Sequence, residues 1–322
     1  MAAESYVKRF ANAGTSENAL DDELVQIFTD LEGQSKLPSF YDPQNPACLM
    51  PSILSSLPRF SLPRIPTQFA TVSKAKTCLN LIQALINRLY SQGPHINRKE
   101  SATLDDCNRL LNEWEVAFST LLQNAQRTAS TTQGSKFQKT YIPHFILASN
   151  HAMIKIINAS NTGRCSEMFY DTMIPYFQKI IDYSKVIINT INSHVLPSFV
   201  FEVGVLPPLH VTGTKCRDPK LRREAIALLR KYPAQEGVWE GYGCAKACEW
   251  IMTIEEAGGA DGLSSVKSSR SQESAGSIPE WDRVKLSSMV CWLHERRIWA
   301  QCTSVVPVLK GKNRVWEKTF TW

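Results

Sequence analysis

Six side chains have the types and settings that could do chemistry. Glu202 is the single charged residue in F-V-F-E-V-G-V-L, residues 199–206. A carboxyl buried among such neighbours must find a counter-charge or become a neutral acid able to donate a hydrogen bond. Turned to solvent, or paired with an arginine, it does no chemistry. His210 follows P-P-L and poses the same question. Tyr141, His144 and His151 stand at i, i+3 and i+10 of one helical stretch. The two histidines are seven apart and share a face, which is an internal surface or the exterior. That spacing is too long for one metal ion without further ligands, and no H-E-x-x-H occurs. Tyr176 stands between Tyr170 and Tyr183 in a polar-tipped aromatic set. In an apolar cavity such a hydroxyl holds a carbonyl oxygen; in a core it is simply satisfied.

Other chemistry is not signalled. The chain has no G-x-x-x-x-G-K-[ST] phosphate loop, no G-x-G-x-x-G, no G-x-S-x-G elbow and no aspartate-rich diphosphate-binding helix. Nine cysteines are scattered from Cys48 to Cys302, none in C-x-x-C spacing, with Cys244 and Cys248 four apart. They are expected to be reduced thiols of an intracellular, cytoplasmic protein, with no metal and no cofactor. A net charge of +6 is too mild to argue direct nucleic-acid binding. The first residues lack the apolar core of a secretory signal. Val195–Val211 is the most apolar run, and Pro197, Glu202, Pro207 and Pro208 interrupt it, so no membrane span is expected.

The elements that must position these residues read as helices. Residues 1–20 are small and polar, a flexible tail. From Asp21 a short helix carries Leu24, Ile27, Phe28 and Leu31 as its apolar stripe. Residues 37–66 hold seven prolines among apolar anchors such as Phe40 and Phe60, an extended segment wrapping the body. Apolar spacing predicts helices over Thr67–Ser91, Ala102–Gln126, Tyr141–Ala159 with Pro143 in its first turn, and Ser166–Ser193 with a break at Pro175. Asp218-Pro219 is a strong helix start, the aspartate capping free N–H groups and the proline filling a position whose N–H has no partner. Trp239–Ala257 forms the next helix, capped at Gly258, so the two make an αα-hairpin. Residues 258–277 are a flexible loop, and Glu280–Thr303 reads as a last helix. The fold class is thus all-α: one multi-helix domain of packed αα-hairpins over 21–303, with a C-terminal extension at 304–322 suggesting a short β-hairpin around Gly311–Asn313.

Thr214–Lys231 carries seven basic and two acidic residues, the ordinary pattern of a solvated helix face. Within the wider stretch stand K-C-R-D-P-x-L-R-R-E-A-I-A-L-L, E-G-V-W-E, W-I-M-T-I-E-E and I-P-E-W-D-R-V, in that order. Together they resemble the C-terminal region of fungal zinc-cluster transcription factors, over roughly Ala102–Thr303. The resemblance implies an all-helical regulatory domain and a fungal source. It singles out Arg217, Asp218, Arg222, Glu236, Trp239 and Glu255, whose types suit a cap, ion pairs and a buried indole that hold the fold. The family reads DNA through six clustered cysteines, whereas Cys48, Cys78 and Cys107 are the only ones in the first half here. The sequence looks like the regulatory body without the DNA reader.

Two functions follow as expectations. The first is a cofactor-independent cyclase, a Diels–Alderase-like pericyclase for a hydrophobic terpenoid or polyketide intermediate in fungal natural-product biosynthesis. It would act by enclosing the substrate and hydrogen-bonding an activating carbonyl. The alternative is a transcriptional regulator without its own DNA-binding domain, working in the nucleus through a metabolite or a protein partner. The expected partners are accordingly a hydrophobic small molecule, a second copy or an intact regulator. A truncated gene product with no role of its own is a third reading, against which the ordered start at Asp21 argues.

Overall fold

The computed structural model of the chain describes residues 64–91, 104–131, 135–160, 166–191, 199–200, 204–237, 239–258, 278–307 and 313–322. The tail 1–20, the helix expected from Asp21, all but the end of 37–66 and the loop after Gly258 lie outside the described residues.

Helix α1, Val72–Ser91, buries Ala75, Leu79, Ile82 and Ile86, the i, i+4, i+7 and i+11 positions of one stripe. Helix α2, Leu104–Thr131, starts with Asp105 and Asp106 in its first turn, where the helix dipole favours acids. Its buried Trp114 donates Nε1–H to the Ala75 carbonyl at 2.9 Å and so pins α2 to α1. Helix α3, Ser135–Ser160, starts earlier than its spacing suggests, and Pro143 lies inside it rather than in the first turn. A 3-10 turn at Glu167–Met173 leads into α4, Ile174–Ile191, so Pro175 sits at the change of helix type.

Helix α5, Leu206–Lys215, is the centre of the helical body. Every residue from Leu206 to Thr214 is buried, as expected of a helix that is apolar all round. Pro207 and Pro208 occupy its first turn without losing any hydrogen bond that the helix could make. Its buried hydroxyls are satisfied internally, Thr212 donating to the Pro208 carbonyl and Thr214 to that of His210. Helices α3, α4, α6 and α7 pack around it. Helix α6, Pro219–Lys231, is capped by Asp218, which accepts from the Leu221 N–H at 2.9 Å. Helix α7, Gly241–Glu256, is capped by Glu240 and closed near Gly258 at φ 87°. The expected hairpin of α6 and α7 is present, but Trp239–Glu240 form a short strand, β3, rather than the first turn of α7. That strand pairs antiparallel with β2, Gln235–Glu236, which pairs in parallel with β1, Phe199–Val200.

The all-α expectation fails at the C-terminus. Residues read there as a last helix form two strands, β4 at Val284–Trp292 and β5 at Arg297–Ser304, and β6 at Val315–Thr321 completes an antiparallel sheet in the order β4-β5-β6. The cause is a period of two. Along β5, Ile298, Ala300, Cys302 and Ser304 are buried while Arg297, Trp299, Gln301 and Thr303 are not. That alternation outweighs the helical spacing read across residues 280–303. Of the hairpin expected in 304–322, β6 is present, but it pairs with β5, which ends at Ser304, and most of the expected turn at Gly311–Asn313 lies outside the described residues. The inner face of the sheet packs Met289, Ile298, Ala300 and Phe320 on Ala247 and Trp250 of α7. The described fold is therefore mostly helical with one small antiparallel sheet near the C-terminus.

Candidate functional site

The most distinctive chemistry in the described residues is a buried ionic joint between the helical body and the sheet. Arg217, between α5 and α6, and Arg222, on α6, both reach Glu255 on α7. Arg217 Nη2 donates to Glu255 Oε1 at 2.8 Å and Arg222 Nη1 to Oε2 at 2.6 Å, with all three side chains no more than 1% exposed. The Val284 N–H, at the start of β4, donates to Oε1 at 3.0 Å. Burial pushes the Glu255 carboxyl up, and the two guanidinium groups more than offset it, holding it below the usual range. Arg217 also lies 3.1 Å from Glu167 of the 3-10 turn, and Lys215 donates to the same carboxylate at 3.0 Å.

Arg283 closes the joint from the sheet side. It is wholly buried, donating to the carbonyls of Ile278 and Glu167 and to Asp171 Oδ2 at 2.8, 2.6 and 2.6 Å. Arg217, Arg222 and Glu255 thus take the structural roles that their motifs suggest. Glu167, Asp171 and Arg283 escape a reading of the sequence. The available signal was E-M-F-Y-D, two acids four apart in an otherwise apolar stretch.

Glu236 makes a second buried site. It accepts the N–H groups of Gly204, Val205 and Leu206 at 2.9–3.0 Å and so caps the start of α5 from 30 residues away. Burial pushes its carboxyl up to about 7, against the pull of the three N–H donors and of Tyr232. The cap requires Gly204: a Cβ there would lie 2.2 Å from Glu236 Oε1.

Of the six residues singled out for chemistry, the five described are not gathered around one point. Glu202 lies outside the described residues. His210 is fully buried in α5, its Nδ1 3.6 Å from Cys248 Sγ and its ring 5.2 Å from that of Trp239. Among the described residues its Nε2 has no hydrogen-bond partner, and burial, with Lys215 nearby, lowers its pKa to about 4. His151 is also buried and stacks at 4.8 Å on Trp114. Its Nε2–H donates to the Leu111 carbonyl at 2.9 Å, and burial lowers its pKa to about 4 despite that bond. His144 shares the same face of α3, its ring 6.3 Å from Phe118, so the face common to the two histidines is internal packing against α2. Tyr141 is buried, with its hydroxyl 3.4 Å from that of Thr190. Tyr176 is half-buried, with the Lys155 and Lys179 ammonium groups each 5.2 Å from its ring centre.

Metal chemistry finds no framework here, for no group of three or more His, Cys, Asp or Glu is placed to hold an ion among the described residues. No described helix is long and apolar enough to cross a membrane. Comparison with known protein families, with curated proteins and with solved structures returns no match.

Proposed function

We propose that the chain is a helical regulatory body of the zinc-cluster transcription-factor type, acting through a protein partner. The observation that carries this reading is the convergence of three of the resembling motifs on one buried joint. Arg217 and Arg222 come from K-C-R-D-P-x-L-R-R, Glu255 from W-I-M-T-I-E-E, and Arg283 and Val284 from I-P-E-W-D-R-V. Residues so far apart in sequence that meet in one buried ion-paired cluster support a shared architecture rather than chance likeness. The candidate reactive groups, by contrast, are mostly spent on packing. The test is to fuse the full chain to an unrelated DNA-binding domain in fungal cells and measure a reporter. A partner-mediated regulator changes reporter output, and co-expressing an intact zinc-cluster protein with the unfused chain alters that protein's own target. No effect in both assays rejects the reading.

The cofactor-independent cyclase is kept as a second reading on one observation, the Nε2 of fully buried His210, which has no partner among the described residues. A neutral imidazole among apolar groups can donate one hydrogen bond to a carbonyl. Incubating the purified protein with polyene and enal substrates tests this reading. An acceleration over buffer that His210→Phe abolishes supports it, and no acceleration with any of them counts against it.

A further inference from the structure

The C-terminal sheet has a second face that the helical body does not use. On it, Val290, Trp299 and Thr319 form one cross-strand row, and Trp292, Arg297 and Thr321 the next. Val290, Trp292, Trp299 and Val315 belong to none of the hydrophobic clusters formed by the described residues. Lys285 and Arg297 lie at opposite ends of this face, about 20 Å apart along the strands. Arg297 lies over the Trp292 ring at 4.3 Å and shares Glu295 at 2.7 Å. One acid stands on this face, Glu317, and it accepts from the Gln301 amide at 2.7 Å. Residues 278–322 hold eight basic and four acidic side chains and five of the eight tryptophans of the chain.

The same chain carries a complementary stretch. Residues 21–32, D-D-E-L-V-Q-I-F-T-D-L-E, have five acids and no base. Leu24, Ile27, Phe28 and Leu31 recur at i, i+3, i+4 and i+7, the spacing of an apolar stripe. The acids fall at its two ends, Asp21-Asp22-Glu23 and Asp30 with Glu32. A helix of that length spans about 17 Å, close to the separation of Lys285 and Arg297. The 31 residues from 33 to 63 can reach about 100 Å when extended, so the tether does not limit docking.

We infer that residues 21–32 dock on the outer face of β4-β5-β6, with their apolar stripe on Trp299, Trp292 and Val290 and their two acidic ends toward Lys285 and Arg297. The inference holds under either functional reading, since it concerns an intramolecular surface.

The test uses the full chain and a zero-length carbodiimide, which joins a carboxylate directly to a lysine amine. The expected product is a monomer linking residues 21–32 to Lys285. Chymotryptic cleavage at Phe28 is expected to be slow. Phe28→Asp, which lies in the docked segment and leaves the sheet intact, and Trp299→Glu, on the receiving face, should each abolish the link. In Trp299→Glu, cleavage at Phe28 should rise on the order of tenfold, the change that about 1.4 kcal/mol of lost docking produces. Raising salt from 0.05 to 1 M should weaken the link in the wild type. A link found only between two copies, which would make a second molecule the occupant, overturns the inference. So does the absence of any link together with equally fast cleavage in wild type and variants.

Discussion

Arg222 and Glu255 face each other at 2.6 Å with their side chains 1% and 0% exposed, and the same carboxylate is shared with Arg217. Two guanidinium groups on one buried carboxylate mean that the glutamate is the costly member to lose. Glu255→Gln keeps the shape and removes the only counter-charge that Arg222 has among the described residues, and such uncompensated burial costs about 3–5 kcal/mol. Arg222→Met leaves Glu255 still paired to Arg217 and should cost less. Urea unfolding of the two variants orders them, and a loss under about 1 kcal/mol for Glu255→Gln contradicts the joint described here.

Glu236 and Gly204 should behave as one unit. Glu236→Ala leaves three N–H groups at the start of α5 without their acceptor, a loss of about 2–4 kcal/mol at roughly 1–3 kcal/mol for each unsatisfied donor and some recovery through water. Gly204→Ala drives its new Cβ into Glu236 Oε1 and is destabilising for that reason. Once Glu236 is already alanine, that clash is gone. The double variant is therefore expected to cost clearly less than the sum of the two single ones, by denaturant unfolding. Strict additivity contradicts the proposed contact.

The buried thiols supply a simpler measurement. Burial pushes Cys107, Cys216, Cys248 and Cys302 each up to about 12, and Cys244 well above its ordinary value. A thiol that forms no thiolate does not react. At pH 7.5 the native chain should leave these five untouched by Ellman's reagent, and unfolding in guanidinium should release them. Fast reaction of Cys248 in the native state counts against the close packing of α5 on α7 around Gly213.

The helical part of this architecture was legible because its stripes are long and its punctuation strong. Asp218-Pro219 marks the start of α6, and the spacing of Ala75, Leu79, Ile82 and Ile86 marks α1. Helix α5 was hidden by its burial: with every residue from Leu206 to Thr214 inside, no periodicity survives to be read. The sheet was missed because Trp292 on one face and Trp316 on the other make both faces look apolar and blur the period of two along β4 and β6. Arg217, Arg222 and Glu255 stood out through the resemblance, and their types suited ion pairs. Their partners Glu167 and Asp171 did not, because only the tertiary fold brings them to Arg217 and Arg283.

Acid stability should be governed by two histidines against one glutamate. His151 and His210 are buried with pKa values lowered to about 4, while in the unfolded chain a histidine titrates near 6.5. Between those values the unfolded state binds the proton and the folded state does not, so stability falls as pH drops from about 6.5 toward 4. Each such shift, about 2.5 pH units, is worth at most about 3.4 kcal/mol at 1.36 kcal/mol per pH unit. Glu236 acts in the opposite sense. Its carboxyl is pushed up to about 7, so the folded state holds a proton that the unfolded state has released above about 4.5. Its contribution is present at low pH and is lost as pH rises through 7. From pH 6.5 to 4.5 the two histidines outweigh the single carboxyl, and the urea midpoint should fall on acidification. In His210→Gln the slope should shrink by about half or more, and in Glu236→Gln, which removes the opposing group, it should steepen. A midpoint that does not change between pH 7 and 5, or one that changes equally in wild type and His210→Gln, would contradict burial of the neutral imidazole.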